Sequence, residues 1–133
     1  MPRFKTDILI RNNMLKKMQD NKLAVSYEIL SNEQYIYELK RKLVEEAMEC
    51  LNASHIGKND LKHEIADVLE VVEHLISACQ FNENEIKKIK QTKKEKLGGF
   101  DKKIKTHFVE VDENNFSELE YYKQNAHKYP TID

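Results

Sequence analysis

The spacing of apolar residues along the chain predicts a mainly helical fold. Apolar side chains recur every three or four positions over most of the 133 residues, which is the period of an amphipathic helix. Weak alternation over residues 24–30 indicates an extended connector. The predicted helices cover positions 7–20, 31–53, 60–80 and 82–96, and a last short helix follows from position 117.

The fold class that this pattern indicates is all-α, an antiparallel helical bundle that leaves room for one short strand or hairpin. A short turn at 54–59, which contains Gly57, joins the second and third helices, and helices joined in this way pack antiparallel. The strand would be Ile104–Val111, where apolar and polar residues alternate. We predict one domain, with a main part over 1–111 and a C-terminal helix and tail over 112–133.

Polar residues with capping chemistry mark the predicted helix ends. A capping box needs a Ser, Thr, Asp or Asn followed three positions later by Glu or Gln, and a glycine pair is typical of a C-terminal end. The signals along the chain are the box Ser31–Gln34, a cap at Asn59 or Asp60, the box Asn82–Glu85, the stop at Gly98-Gly99 and a cap at Ser117.

Two groups of carboxylates stand out against this helical frame. The second helix carries Glu45, Glu46 and Glu49, and the third carries Glu64 and Asp67. When Glu64 is set to zero on its helix, six apolar residues project between about −20° and +100°: Leu61, Ile65, Val68, Val71, Val72 and Leu75. Glu64 therefore lies inside the apolar stripe, where an unpaired carboxylate would be buried at a large cost in free energy.

The predicted pairing of the two helices would bring four of these acids together. Four carboxylates at one place repel one another unless a cation lies between them, and an all-oxygen site suits Mg²⁺, with Mn²⁺ as the alternative. The competing interpretation is a pair of solvated acidic faces. A di-iron site is disfavoured, because Asp60-x-x-His63 is the one near match to its Glu-x-x-His motif. The acids that would meet are Glu46, Glu49, Glu64 and Asp67.

Charge is distributed unevenly along the chain. Positions 43–73 hold eight acids and two lysines, whereas positions 86–105 hold nine lysines and two acids. A metal together with lysines is typical of a polyphosphate site. Nucleic-acid binding is disfavoured, because only Phe81 and Phe100 flank the lysine-rich helix and single strands need interleaved aromatic rings.

Composition predicts a cytoplasmic protein without a membrane partner. The first residues are polar rather than a signal peptide, and no apolar run has the length of a membrane span. Cys50 and Cys79 are isolated and lack metal-type spacing, which indicates reduced thiols.

The motifs resemble those of the MazG-like all-α nucleoside triphosphate pyrophosphohydrolases, in particular a small subgroup similar to phosphoribosyl-ATP pyrophosphohydrolase. The resemblance covers residues 4 to 111. It is carried by the acidic motifs Glu45-Glu46-x-x-Glu49 and Glu64-Ile-Ala-Asp67, the flanking runs 39–47 and 64–72, the basic run Lys93-Lys-Glu-Lys-Leu-Gly-Gly-Phe100, and Leu9-Ile-Arg11.

The resemblance implies an Mg²⁺-dependent enzyme that acts as a homodimer or homotetramer. It would cleave a nucleoside triphosphate or related nucleotide to a monophosphate and pyrophosphate. The four acids named above would bind the metal, with catalytic roles for Glu45, Glu46 and Glu49. Glu45 would orient the attacking water or support the ligands from outside. Substrate phosphates would be contacted by Lys93, Lys96 and Arg11.

Two positions depart from the subgroup's pattern. Asn12-Asn13 stand where the subgroup has Asp-Lys, and Leu97 stands where it has Arg before Gly-Gly-Phe. These departures motivate an alternative interpretation, a non-catalytic helical module that binds a nucleotide or a protein.

Overall fold

The computed structural model describes residues 1–56 and 60–132, and within these ranges the chain forms five α-helices and no strand. The all-α prediction is therefore confirmed. The short strand predicted at Ile104–Val111 is wrong, since this segment has no regular secondary structure. Alternation makes a strand only where a neighbouring strand can pair with its backbone, and the described ranges offer none. The helices are α1 (Asn12–Asp20), α2 (Asn32–Asn52), α3 (Asp60–Ala78), α4 (Glu83–Leu97) and α5 (Phe116–Gln124).

Local capping fixes where α2 and α4 begin. The Ser31 hydroxyl accepts a hydrogen bond from the Gln34 backbone N–H at 3.2 Å, and the Gln34 side chain accepts one from the Ser31 N–H at 3.1 Å. This reciprocal pair is the capping box that the sequence predicts. At α4 the Asn82 side chain accepts from the Glu85 N–H at 3.1 Å. Gly98 follows α4 with a φ of 83°, a left-handed conformation that glycine adopts without strain.

Two predicted helix starts are wrong. α1 begins at Asn12 rather than after Asp7, because Arg11 has an extended backbone (φ −66°, ψ 149°) and residues 6–9 instead line a cavity of about 260 Å³ against α2. α5 begins at Phe116 after Asn115, so Ser117 lies inside the helix rather than at its cap. The predicted turn at Gly57 and the cap at Asn59 lie outside the described residues.

The main tertiary contact joins α2 and α3. Among the described residues, the buried apolar side chains are Leu39 of α2, 3% exposed, and Val71 of α3, 9% exposed. Glu46, 7% exposed, is the buried charged residue. A carboxylate thus occupies one of the few buried positions among the described residues of this helix pair.

The chain divides into two compact units, Met1–Lys93 and Lys94–Asp133. The first contains α1, α2, α3 and most of α4. The second contains α5 and a cluster of tyrosine rings, in which Tyr122 lies 5.1 Å from Tyr121 and 5.5 Å from Tyr129 between ring centroids. In the part of the chain that the structure describes, the helices are too short or too polar to span a membrane.

The capping box predicts the effect of one substitution. Ser31→Ala removes the hydroxyl that accepts from the Gln34 N–H, so we expect the free energy of unfolding to fall by about 1 kcal/mol. Urea unfolding followed by circular dichroism measures this change. Ser26→Ala, the same substitution at an exposed residue of the 24–30 connector, serves as the control and should leave stability within about 0.5 kcal/mol of the original. Equal stability of the two variants would contradict the capping role.

Candidate metal centre

Four carboxylates from α2 and α3 converge in the first unit. Each offers one oxygen, and the four oxygens lie within 4.8 Å of one another. The members, which we call the acidic cluster, are Glu46, Glu49, Glu64 and Asp67. Each helix contributes two acids three positions apart, a spacing that places both side chains on one face. The sequence predicts this set, and the structure brings it together in a geometry that could hold a metal ion.

Two buried oxygens distinguish the acidic cluster, in which Glu46 is buried, Glu64 and Asp67 are half-buried and Glu49 is exposed, from a solvated acidic face. One carboxylate oxygen of Glu46 and one of Glu64, the Oε2 atom in each case, are buried and accept no hydrogen bond from the described residues. A buried carboxylate without a donor or a counter-ion loses its hydration without replacement, at a cost of several kcal/mol. A cation among the four oxygens removes that cost.

The pKa values of the cluster also reflect the cost of burying several carboxylates together. Burial and the facing Glu49 carboxyl raise the pKa of Glu46 from 4.5 to about 7, although the Lys42 ammonium opposes the shift. The hydrogen bond to Glu49, together with burial, raises the pKa of Glu64. Without a cation, therefore, the cluster takes up protons at pH values where carboxyl groups are ordinarily charged. A metal ion would release those protons.

The donor set indicates a hard cation. All four groups are carboxylates, and the cluster contains no histidine, in contrast to the Glu-x-x-His motif of di-iron bundles. Cys50 lies one turn after Glu46, but burial and the surrounding acids raise the pKa of its thiol, so it stays protonated and is a poor ligand. Cys50 and Cys79 are both free thiols. Oxygen-only coordination suits Mg²⁺ or Mn²⁺.

Lys42 links the cluster to Glu45. Its ammonium nitrogen lies 3.4 Å from a Glu45 carboxylate oxygen and 3.6 Å from one of Glu46. The Lys42 side chain is only 19% exposed, so this contact is partly shielded from solvent. Our sequence interpretation did not include Lys42, although its position one turn before Glu46 on the same face of α2 is a signal that could have identified it.

The Arg11 side chain contacts the edge of the acidic cluster instead of extending freely into solvent. One guanidinium nitrogen is 2.7 Å from an Asp67 carboxylate oxygen, and the other forms an ion pair with Glu70. The hydrogen bond to Glu70, together with the charges of both acids, raises the pKa of Arg11 further above its ordinary value. Glu70, three positions after Asp67, is a second residue that the sequence interpretation missed.

The two lysines predicted to contact phosphates lie on α4. Lys93 is the last residue of the first unit, and Lys96 belongs to the second unit. Both side chains are exposed. Their contact with a substrate stays a prediction.

Comparisons of the chain with protein-family models, with curated proteins and with solved structures found no match.

The raised pKa of Glu46 predicts how stability depends on pH. The folded protein keeps this proton up to about pH 7, whereas the unfolded chain releases it near 4.5. The stabilising contribution is therefore fully present below pH 4.5 and is lost as the pH rises through about 7. We expect the metal-free protein to lose at most about 3 kcal/mol in this window, measured by thermal unfolding between pH 5 and 8.

Two comparisons isolate the contribution of Glu46. Glu46→Gln should remove most of the loss, because the amide carries no charge at any of these pH values, and saturating Mg²⁺ should oppose the loss in the unmodified protein. Glu73→Gln, the same change at an exposed position of α3, is the matched control. A Glu46→Gln protein with the pH dependence of the unmodified chain would contradict the assignment.

Proposed function

We propose that this protein is an Mg²⁺-dependent nucleotide pyrophosphohydrolase of the MazG-like type, built on an antiparallel helical bundle. The observation that carries the proposal is the buried Oε2 atom of Glu46, which has no hydrogen-bond partner among the described residues and belongs to a carboxylate grouped with three further acids. The motif resemblance adds the reaction, hydrolysis between the α- and β-phosphates of a nucleoside triphosphate or related nucleotide.

In this mechanism the acidic cluster would hold the metal. Glu45 would accept a proton from the attacking water, and basic residues would bind the phosphates. A bound Mg²⁺ would polarise the phosphoryl oxygens and neutralise the charge that develops on them. Glu45 is 33% exposed and is held by Lys42, so its carboxylate can orient a water molecule and accept its proton. The water oxygen bonds to the α-phosphorus as the bond to the bridging oxygen breaks. Pyrophosphate then leaves with the bridging oxygen.

Basic residues complete the site in this proposal. Arg11 lies beside the acidic cluster through its contact with Asp67. The exposed ammonium group of Lys93, which belongs to the same unit as the acidic cluster, would supply positive charge for the β- and γ-phosphates that form the leaving pyrophosphate.

The proposal predicts the loss of activity in two conservative variants. Glu49→Gln and Asp67→Asn each keep the side-chain volume but remove one anionic ligand, so we expect Mg²⁺-dependent pyrophosphate release to fall at least about a hundredfold. A screen over nucleoside triphosphates, modified triphosphates and phosphoribosyl-ATP measures the release. Glu73→Gln is the control and should retain full activity. Unchanged release in both ligand variants would exclude this mechanism.

A second candidate function is a non-catalytic helical module that binds nucleotides. It is favoured by Asn12-Asn13 and Leu97, which replace charged residues of the resembled pattern. Mn²⁺-dependent nucleotide binding without turnover of any nucleotide in the screen would support this function over the hydrolase.

We further propose that a second copy of the chain covers the outer face of α2, as a homodimer or as part of a homotetramer. Four large apolar residues on this face are between 52% and 75% exposed. They lie within about 60° of one another and roughly 180° from Glu46, so α2 is apolar on two opposite faces. A helix that is apolar on both sides is typically enclosed on both sides. This outer row consists of Tyr37, Val44, Met48 and Leu51.

The outer row predicts a change in molecular mass on substitution. Size-exclusion chromatography with light scattering should give a dimer or tetramer for the unmodified protein. Met48→Glu should shift it toward the 15.7 kDa monomer, because a charge would be buried in an apolar contact. Lys17→Glu, at an exposed position of α1, should leave the mass unchanged. A monomeric unmodified protein at all concentrations would contradict the proposed interface.

A further inference from the structure

Glu70 is an acid beside the candidate metal centre that the proposed reaction does not yet use. It lies three positions after Asp67, on the same face of α3, but it is not a member of the acidic cluster. One of its carboxylate oxygens forms an ion pair with Arg11, and the other lies 3.7 Å from the His74 ring nitrogen Nε2. Arg11 is therefore the residue that holds the Glu70 carboxylate, and His74 lies beside its other oxygen beyond hydrogen-bond distance.

The Arg11 guanidinium is shared between two carboxylates with different roles. Its contact with Asp67, at 2.7 Å, involves a residue that the metal would also use. A divalent cation at Asp67 offsets the negative charge that attracts Arg11, so that half of the contact weakens when the site is loaded. Glu70 is not in the ligand set, so a cation bound by the acidic cluster does not take up its carboxylate. After metal binding, Glu70 is the carboxylate that continues to hold Arg11.

The position of Arg11 suits an oxyanion next to the metal. The Arg11 side chain is 58% exposed, so part of the guanidinium faces solvent while two of its nitrogens contact the carboxylates. A planar guanidinium offers five N–H donors, so donors remain for a phosphate oxygen. A free arginine would have to order its side chain before it could make that contact, whereas one held by Glu70 is already in place.

We propose that Glu70 is a positioning residue for Arg11: it holds the guanidinium at the rim of the metal centre, where it binds the terminal phosphates of the substrate. The proposal rests on the proposed function for the identity of the substrate. Glu70 itself does not touch the substrate, and its influence on phosphate binding passes through Arg11.

A double-mutant cycle between Arg11 and Glu70 tests the inference through binding as well as activity. The probes are Mn²⁺ alone and inorganic pyrophosphate at saturating Mn²⁺, both measured by isothermal titration calorimetry. The variants are Glu70→Gln, Arg11→Ala and the double variant, with Glu73→Gln as the control for loss of one negative charge from α3. Circular dichroism confirms that each variant is folded.

We expect Glu70→Gln to weaken pyrophosphate binding about fivefold when Arg11 is present and less than about twofold in the Arg11→Ala background. In the activity assay the same variant should raise KM by a similar factor and change kcat by less than about twofold, because a ground-state contact is lost rather than a reacting group. A purely structural role would not raise KM while leaving kcat nearly unchanged.

Several outcomes would overturn the proposal. Equal effects of Glu70→Gln in both backgrounds would show that Glu70 acts without Arg11. A loss of Mn²⁺ affinity beyond about tenfold, with no such loss in Glu73→Gln, would make Glu70 a metal ligand instead. Failure of the unmodified protein to bind pyrophosphate with Mn²⁺ would also refute it. Coupled binding without hydrolysis of any nucleotide would contradict the hydrolase function alone and support the role of Glu70.

Discussion

Repulsion among four carboxylates is the constraint on which the rest of this structure depends. α2 and α3 pack directly against each other, yet the acidic cluster lies at their contact, with Glu46 almost fully buried. Such an arrangement is costly by itself, because each charge raises the energy of the others and no described donor reaches the buried oxygens. The protein can relieve that cost with protons or with a cation. Only a cation leaves the carboxylates charged.

The surrounding charges follow from this constraint. Lys42 of α2 contacts Glu46, and Arg11, directly before α1, contacts Asp67. Neither the ammonium nor the guanidinium forms a hydrogen bond with the buried Oε2 atoms of Glu46 and Glu64. The basic residues therefore reduce the repulsion in part and leave these two oxygens without a partner among the described residues.

Much of the site could be predicted from the sequence, because helical spacing alone places Glu64 among apolar residues and pairs it with Asp67. The burial of Glu46 could have been predicted in the same way, because Glu46 follows Leu39 by seven positions on the inner face of α2. The contacts of Arg11 could not, because they join residues more than fifty positions apart through an exposed side chain. The late start of α1 depends on the extended backbone at Arg11, for which apolar spacing carries no signal.

The way in which Arg11 joins α1 to α3 has a consequence for the solution conditions that the site tolerates. This link consists of ion pairs between side chains that are 37–58% exposed, so dissolved ions screen it over a Debye length of about 8 Å at physiological ionic strength. The buried oxygens of Glu46 and Glu64 are shielded from that screening. Raising the ionic strength therefore weakens the ion pairs that join Arg11 to α3. The repulsion among the carboxylates of the acidic cluster stays almost unchanged.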